Sequence, residues 1–350
     1  MKIVLTSDLH FKTGQYMDIY LNDYEGIYYP MQNLLYAAEI CKKENADYLF
    51  ILGDIFDRSN NSHFLVDCIG RALEMISKTC KTVILLGNHD IELKQKNLRE
   101  YYSTLRLYNK LVTVIEEPYV DHQEKIVMIP YNYHDILVER SLDDWKDYIL
   151  FTHIGINGFE YATGMKSYRE PVNPEALSKF SMVVSGHYHL HSFSRNIYYL
   201  GSPWCVRSDE LGTDKYIHVI DTDTLNIKKF KSIYSQLVEI PVEKIDDIKL
   251  SELEKLFVEN PYAKVKLILK DVKLINSIDT IVKEFGLSRI YYSVEEKVEK
   301  LLKSESELKS NTSISLSVEN LLKDYFTEEE KSFVEKVILE VEEFLENEEI

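Results

Sequence analysis

The hydrophobic positions of this chain follow two alternating patterns over the first hundred residues. Lys2 to Ser7, Tyr48 to Leu52 and Thr82 to Leu86 are short apolar runs of the length expected for buried strands. Between them the apolar residues fall at helical spacing. Pro30 to Lys43 carries Leu34, Leu35, Ala38 and Cys41, with Pro30 expected in the first turn. Ser62 to Lys78 places Leu65, Ile69, Leu73 and Ile76 on one face. Strand, helix, strand, helix, strand predicts a parallel α/β sheet.

Further on, strand patterns dominate. Lys125 to Pro130, Tyr148 to Thr152, Ser181 to Ser185, Tyr198 to Leu200, Tyr216 to Asp221 and Leu225 to Ile233 have little helical pattern between them. They predict a second sheet packed on the first, within a domain spanning 1–235. Near Pro241 the pattern changes to a small α/β unit, 236–302. Its helices are predicted at Leu250 to Asn260 and Leu274 to Phe285, its strands at Ala263 to Leu269 and Arg289 to Val294. Residues 303–317 are rich in Ser, Lys and Glu without periodicity and read as a flexible linker. In 318–350, Val318, Leu321, Leu322, Tyr325 and Phe326 form one apolar stripe. A capping box at Thr327 to Glu330 opens a second, from Phe333 to Leu345. Two such helices cannot bury both stripes alone; they can fold back on the main domain or dock onto a partner protein, and docking is the expectation.

Composition narrows the class. No apolar run approaches the roughly 18 residues that span a bilayer. The N-terminus reaches Asp8 too early for a secretory signal. Cys41, Cys68, Cys80 and Cys205 lack metal-like spacing and fit reduced thiols in a cytoplasmic protein. The net charge of −17 argues against a basic, DNA-coating protein; −10 of it falls in 295–350.

Candidate chemistry sits at the strand ends. Asp8 and His10 follow the first strand, Asp54 the second and Asn88 the third. His153 follows Leu150-Phe151-Thr152, and His187 and His189 follow Met182 to Gly186. Carboxyl ends of strands are where α/β sheets build sites. Any one of these residues could be a cap or a core group; five sets at successive strand ends are hard to read that way. Carboxylate, imidazole and amide oxygen without thiolate suit Mn²⁺, Fe²⁺ or Zn²⁺. Seven ligands are too many for one ion, and two ions bridged by Asp54 suit phosphoester hydrolysis.

Asp8-x-His10, Gly53-Asp54-x-x-Asp57, Gly87-Asn88-His89-Asp90, His153 and Gly186-His187-x-His189 resemble the signature of the calcineurin-like binuclear metallophosphoesterases. The resemblance spans roughly residues 1–235. It implies a four-layer αββα sandwich of two sheets flanked by helices. It implies one metal on Asp8, His10, Asp54 and His189, and another on Asp54, Asn88, His153 and His187. It assigns His89 to face the scissile phosphate and assist the leaving group, and Asp57 to orient a histidine or a loop. Asp90 is a weaker candidate for the same supporting role.

Within the superfamily, the chain is most similar to SbcD-type repair nucleases, in particular the compact phage recombination subunits. The Gly53 to Asp57 motif, Tyr199 to Pro203, and the stretch Asp209-Glu210 with Lys215 to Asp221 carry that likeness. It implies a Mn²⁺-dependent DNA nuclease (Mg²⁺, Fe²⁺ or Zn²⁺ being alternatives), with 3′→5′ exonuclease action on duplex ends and endonuclease action on single strands. The small unit would be a DNA-capping domain, and 318–350 would dock onto an SbcC-type, SMC-like ATPase. A homodimer is expected, paired through Ser62 to Lys78 or Asn97 to Lys110. Candidate DNA contacts are Lys12, Thr13 and Gln15, then Ser59, Asn60, Asn61 and His63, and Tyr188 as a stacking ring. The alternative is a phosphomonoesterase, protein phosphatase or other phosphodiesterase of the same fold.

Overall fold

A computed structural model of the chain describes residues 1–13, 25–94, 97–139, 143–162, 165–207, 210, 213–232, 237–244, 248–259, 264–275, 277–278, 280 and 290–294. The predicted linker 303–317 and docking segment 318–350 lie outside these residues, as do Gln15 and most of the predicted helix from Leu274 to Phe285. The chain divides into two compact units, Met1–Gln236 and Leu237–Ile350.

The first unit is built on two six-stranded sheets. In the first, β1 (Lys2–Thr6), β2 (Tyr48–Leu52), β3 (Lys81–Leu85) and β4 (Thr113–Ile115) run parallel. In the second, β5 (Tyr119–Asp121) borders β6 (Ile126–Ile129), β7 (Ile149–His153) and β8 (Met182–Gly186). Beyond β8 lie β10 (Ile197–Tyr199) and then β9 (Ser192–Ser194). Strands β6, β7, β8 and β10 are mutually parallel; β5 and β9 are antiparallel edges. The first sheet closes with β11 (Tyr216–Asp221) antiparallel to β1, and β12 (Asn226–Lys231) antiparallel to β11.

Two-residue alternation sorts the side chains into layers. Ile3 and Leu5 of β1, Phe50 and Leu52 of β2, and Val83 and Leu85 of β3 form one buried cluster with Ile126, Met128, Ile149, Phe151 and Val184. This is the seam between the sheets. Their neighbours Val4, Leu49, Ile51 and Ile84 face the other way, onto Leu34, Ala37, Ile69, Leu73 and Ile76 of the helices. Val127, Leu150 and Val183 lie in a third cluster with Leu137, Leu177 and Phe180, on the outer face of the second sheet. Burying each such side chain contributes about 1.5–3 kcal/mol, which fixes register and hence the level of the strand ends. The outer cover of the second sheet is thin. It consists of the one-turn helix Ile136–Glu139 and short 3-10 turns at Asp143–Trp145 and Pro174–Leu177.

Helix α1 (Glu25–Glu44) begins before the expected start, so Pro30 lies inside it. Proline has no N–H to offer the carbonyl four residues back. Here that carbonyl, Gly26, accepts the backbone N–H of Lys12 at 3.1 Å instead. Gly26 is required for this approach, because a Cβ there would lie 2.5 Å from Lys12 Cγ. Helix α2 (His63–Ser77) starts where the sequence places it, with the Ser62 side chain accepting the Leu65 N–H.

Asn97 to Lys110 is not a helix. Asn97–Tyr102 pairs with Glu92–Lys94 as a ribbon, and Thr104–Tyr108 is a 3-10 turn. The side chains hold this stretch extended. Arg99 stacks on Tyr133 and binds both oxygens of Asp135, and the Tyr101 hydroxyl donates to Glu116 at 3.0 Å.

In the second unit, β13 (Leu237–Val242), β14 (Lys264–Leu269) and β15 (Ile290–Val294) form a parallel sheet, with α3 (Leu250–Glu259) between the first two. Val242, Ile248, Leu253, Val265, Leu267 and Leu269 make its core. No helix among the described residues is long and apolar enough to cross a membrane.

Candidate metal centre

Backbone hydrogen bonds lock the loops after β1 and β2 together. Asp8 N–H donates to the Gly53 carbonyl at 3.0 Å, His10 N–H to Asp54 at 3.0 Å, and Asp57 N–H back to Phe11 at 3.0 Å. Three glycines permit the close approach. A Cβ on Gly53 would lie 2.4 Å from His153 Nδ1, one on Gly87 2.2 Å from Asp54 Oδ1, and one on Gly186 2.4 Å from the Leu52 carbonyl. The turns are strained as well as tight. Asp8, His10, Asp54 and His187 all have positive φ, at 54°, 46°, 53° and 91°. Such backbone costs on the order of 1–3 kcal/mol per residue and concentrates at functional sites.

These turns bring the seven strand-end residues together. Asp8, His10 and His189 form one group, and Asp54, His153 and His187 a second, with the ligand-type atoms of each within 4.8 Å of one another. His10 Nε2 and His189 Nε2 are 3.0 Å apart. Asp54 lies between the groups, its Oδ2 3.2 Å from His153 Nε2 and 3.7 Å from His10 Nε2. Asn88 Oδ1 is 3.2 Å from His153 Nε2 and 2.9 Å from His187 Nδ1. A third overlapping group is His10, Asp54 and His89, so the His89 ring reaches closer than its position beside Asn88 suggests.

Each histidine is turned by a fixed partner. The Leu52 carbonyl takes the His153 Nδ1–H at 2.7 Å, which leaves Nε2 facing Asp54. The Asp57 carbonyl takes the His89 Nδ1–H at 2.6 Å. Asp57 Oδ1 also lies 3.6 Å from His10 Nδ1. Asp54 is held in turn: its Oδ1 accepts the His89 backbone N–H at 2.9 Å. Asp90 accepts three backbone N–H groups, from Asp54, Phe56 and Gly87, at 2.8, 3.1 and 3.0 Å.

Sequence reasoning passed over the support of His189. Its Nδ1 is 2.6 Å from Glu210 Oε1, and Glu210 Oε2 is 2.5 Å from Lys215 Nζ. The ammonium also donates to the His189 carbonyl at 3.0 Å and to Ser202 Oγ at 2.9 Å. Glu210 and Lys215 are both 2% exposed. Both stand in the stretch that carries the family likeness, but nothing in their spacing shows that they meet beneath a histidine.

Charge in the cluster is strongly organised. Burial works against the Asp54 carboxylate, yet the charge and hydrogen bond of His153 outweigh it and hold Asp54 well below the usual range. His153, in spite of burial, is pushed up to about 9 by Asp54. Burial and then the His153 charge pull His187 down to about 3. Burial likewise opposes ionisation of Glu210, but Lys215 and His189 keep it well below the usual range. Carboxylate oxygens and imidazole nitrogens thus converge in a buried site without thiolate, a donor set that fits divalent cations.

Two expected DNA contacts are placed elsewhere. Tyr188 is 4% exposed; its ring stacks on Tyr199 and its hydroxyl donates to Glu170 at 3.1 Å. The apolar cover of the second sheet claims this ring, so it is not presented for stacking. Lys12 is buried with its ammonium over the Trp204 indole, because its backbone is drawn onto Gly26. Ser59 is half-buried and Asn60 exposed, in the turn that follows Asp57. His191, two residues beyond His189, donates Nδ1–H to the Tyr199 carbonyl at 2.9 Å.

One curated relative is Exonuclease subunit 1 of Enterobacteria phage T4, 26% identical over 204 residues; the match covers 54% of this chain and 57% of that protein. The chain thus spans little more than half the length of the T4 protein. Another is Putative phosphoesterase 244L of Invertebrate iridescent virus 6, 24% identical over 77% of this chain and 93% of the relative. Among solved structures, a dimetal phosphatase from Danio rerio is 12% identical with a TM-score of 0.39, covering 66% of this chain and 96% of its own. The Pseudomonas putida nuclease MPE is 13% identical with a TM-score of 0.30, covering 65% and 87%. Residues 1–191 match the family model described as Calcineurin-like phosphoesterase, and with more than half its length so matched the chain belongs to that metal-dependent phosphoesterase family.

Proposed function

We propose that this chain is a two-metal DNA phosphodiesterase, the nuclease subunit of a recombination and repair complex. The observation that carries the reading is the convergence of two ligand groups on Asp54, within a chain similar to a phage exonuclease subunit. In this reading Asp8, His10, Asp54 and His189 hold one divalent ion, and Asp54, Asn88, His153 and His187 the other, with Mn²⁺ the expected activator. When bound, such a pair of ions polarises the phosphate, activates water and neutralises the leaving oxygen.

The chain's own residues do the rest. Asp90 clamps the backbone around Asp54, so that its Oδ2 stays between the two groups while Oδ1 accepts the His89 N–H. The Asp57 carbonyl fixes the His89 ring through Nδ1–H, and in its cationic form the imidazole can donate the proton of its other nitrogen to the departing sugar oxygen. As water adds to phosphorus, the phosphorus–oxygen bond to the sugar breaks and that oxygen takes the proton. Action on duplex ends as a 3′→5′ exonuclease and on single strands as an endonuclease, a homodimer, and an SMC-like ATPase docked on 318–350 belong to the same proposal. DNA contacts at Ser59 and Asn60 belong to it too.

The test is hydrolysis by the purified chain with Mn²⁺, comparing end-labelled DNA with a chromogenic phosphomonoester. Shortened DNA with little monoester turnover supports the proposal. Monoester turnover with intact DNA replaces it with the phosphatase reading.

A further inference from the structure

After β7 delivers His153, the chain leaves the sheet as a small arm. Glu160–Ala162 pairs antiparallel with Met165–Lys166. Tyr161, Met165 and Tyr168 on this arm are 44%, 56% and 72% exposed. The Tyr161 hydroxyl rests on Met165 Sδ at 3.5 Å. Lys166 and Arg169 are also exposed, and neither forms an ion pair among the described residues. Exposed aromatic rings interleaved with cations suit a partner that is both stacked and anionic.

The arm is tied rigidly to the metal-centre loops. Asn157 exchanges two hydrogen bonds with the Glu170 backbone, at 2.8 and 2.9 Å, and its own N–H donates to the Val172 carbonyl at 3.0 Å. Gly158 and Ser167 N–H close the neck, at 2.7 and 3.0 Å. Glu170 Oε1 accepts from Ser167 Oγ at 2.8 Å and from Tyr188 at 3.1 Å, and Tyr188 stands between His187 and His189. The Glu170 carboxylate also presses on Gly155, two residues beyond His153, where a Cβ would lie 2.5 Å away. The Tyr188 ring therefore serves as an anchor for the arm.

The geometry points to this arm as the surface that holds single-stranded DNA beside the metal centre, with Tyr161 and Tyr168 stacking on unpaired bases and Lys166 and Arg169 meeting phosphates. Stacking requires bases free of a duplex, which selects a single strand over paired DNA. The inference rests on the nuclease reading proposed above and adds to it the part of the substrate that the arm engages.

The test uses the full chain and a fluorescent thymidine oligonucleotide, followed by anisotropy without divalent metal so that binding is read without cleavage. Hydrolysis of bis(p-nitrophenyl) phosphate with Mn²⁺, a diester too small to span to the arm, is measured in parallel. The double variant Tyr161→Ala/Tyr168→Ala is expected to bind the oligonucleotide about 10-fold or more weakly. Its small-diester turnover stays near wild type, which also shows that the variant is folded. Lys166→Ala/Arg169→Ala is expected to weaken binding with a shallower salt dependence. Wild type that binds and cleaves DNA, beside a tyrosine variant that binds equally well, overturns the arm and leaves the nuclease reading standing. Wild type that neither binds nor cleaves DNA, yet turns over the small diester, overturns both.

Discussion

Glu210 Oε1 lies 2.6 Å from His189 Nδ1, and its other oxygen is paired with Lys215 in a fully buried contact. A carboxylate behind an imidazole fixes the ring and raises its basicity toward an ion on the opposite nitrogen. Here the opposite nitrogen faces His10 and Asp8. In the other cluster His153 is turned by a neutral carbonyl, and no carboxylate stands behind it among the described residues. Glu210→Gln is therefore expected to weaken binding of one of two metal ions by about 10- to 100-fold and leave the other nearly unchanged. Calorimetric titration with Mn²⁺ reads both steps; equal weakening of both would contradict this asymmetry.

Gly87 has no room for a side chain. A Cβ would lie 2.2 Å from Asp54 Oδ1 and 2.4 Å from the Asp54 nitrogen. Gly87→Ala must displace the residue shared by both groups, and a displacement of about 1 Å at a reacting site costs on the order of 100-fold in rate. The surrounding strands keep their own packing, so circular dichroism is expected to be unchanged while Mn²⁺-dependent hydrolysis falls. Retention of full activity would show that Asp54 tolerates movement.

The Asp54–His153 pair sets a pH dependence. In the metal-free chain His153 is pushed up to about 9 and is protonated at pH 7.5, whereas His187, near 3, is neutral. A metal ligand must be deprotonated, so loading at pH 7.5 is expected to release the His153 proton, with a further fraction from His189, which Glu210 also holds above the ordinary imidazole value, and none from His187. Apparent affinity then rises about 10-fold per pH unit up to about 9 and levels off above it. Calorimetry in buffers of different ionisation enthalpy counts the proton; metal binding without release would contradict the pairing.

The apolar strands and the residues at their ends were legible in the sequence because short continuous apolar runs ending in Asp, Asn or His are local signals. The cover of β7 and β8 was legible only as an absence of long helices. Pro30 was misplaced because the donor that permits it inside α1 is Lys12, eighteen residues away in sequence and unreadable from helix chemistry alone. Tyr188 misled for a related reason. Its place between two histidines suggested a role at the substrate, whereas its ring turns away onto Tyr199 and Glu170. Asp90 and Glu210 show the same limit. A carboxylate's partners are set by which loops meet, and only the fold brings three backbone N–H groups or a lysine to it.

The most direct measurement is Mn²⁺-dependent shortening of end-labelled DNA by wild type, Asp54→Ala and His89→Ser. Asp54→Ala removes the residue shared by both ligand groups. It is expected to abolish cleavage and to reduce bound metal. His89→Ser removes only the imidazole held by the Asp57 carbonyl, and is expected to lower the rate by about 100- to 10,000-fold with metal content unchanged. DNA cleavage that persists at the wild-type rate in Asp54→Ala would contradict the account at its centre.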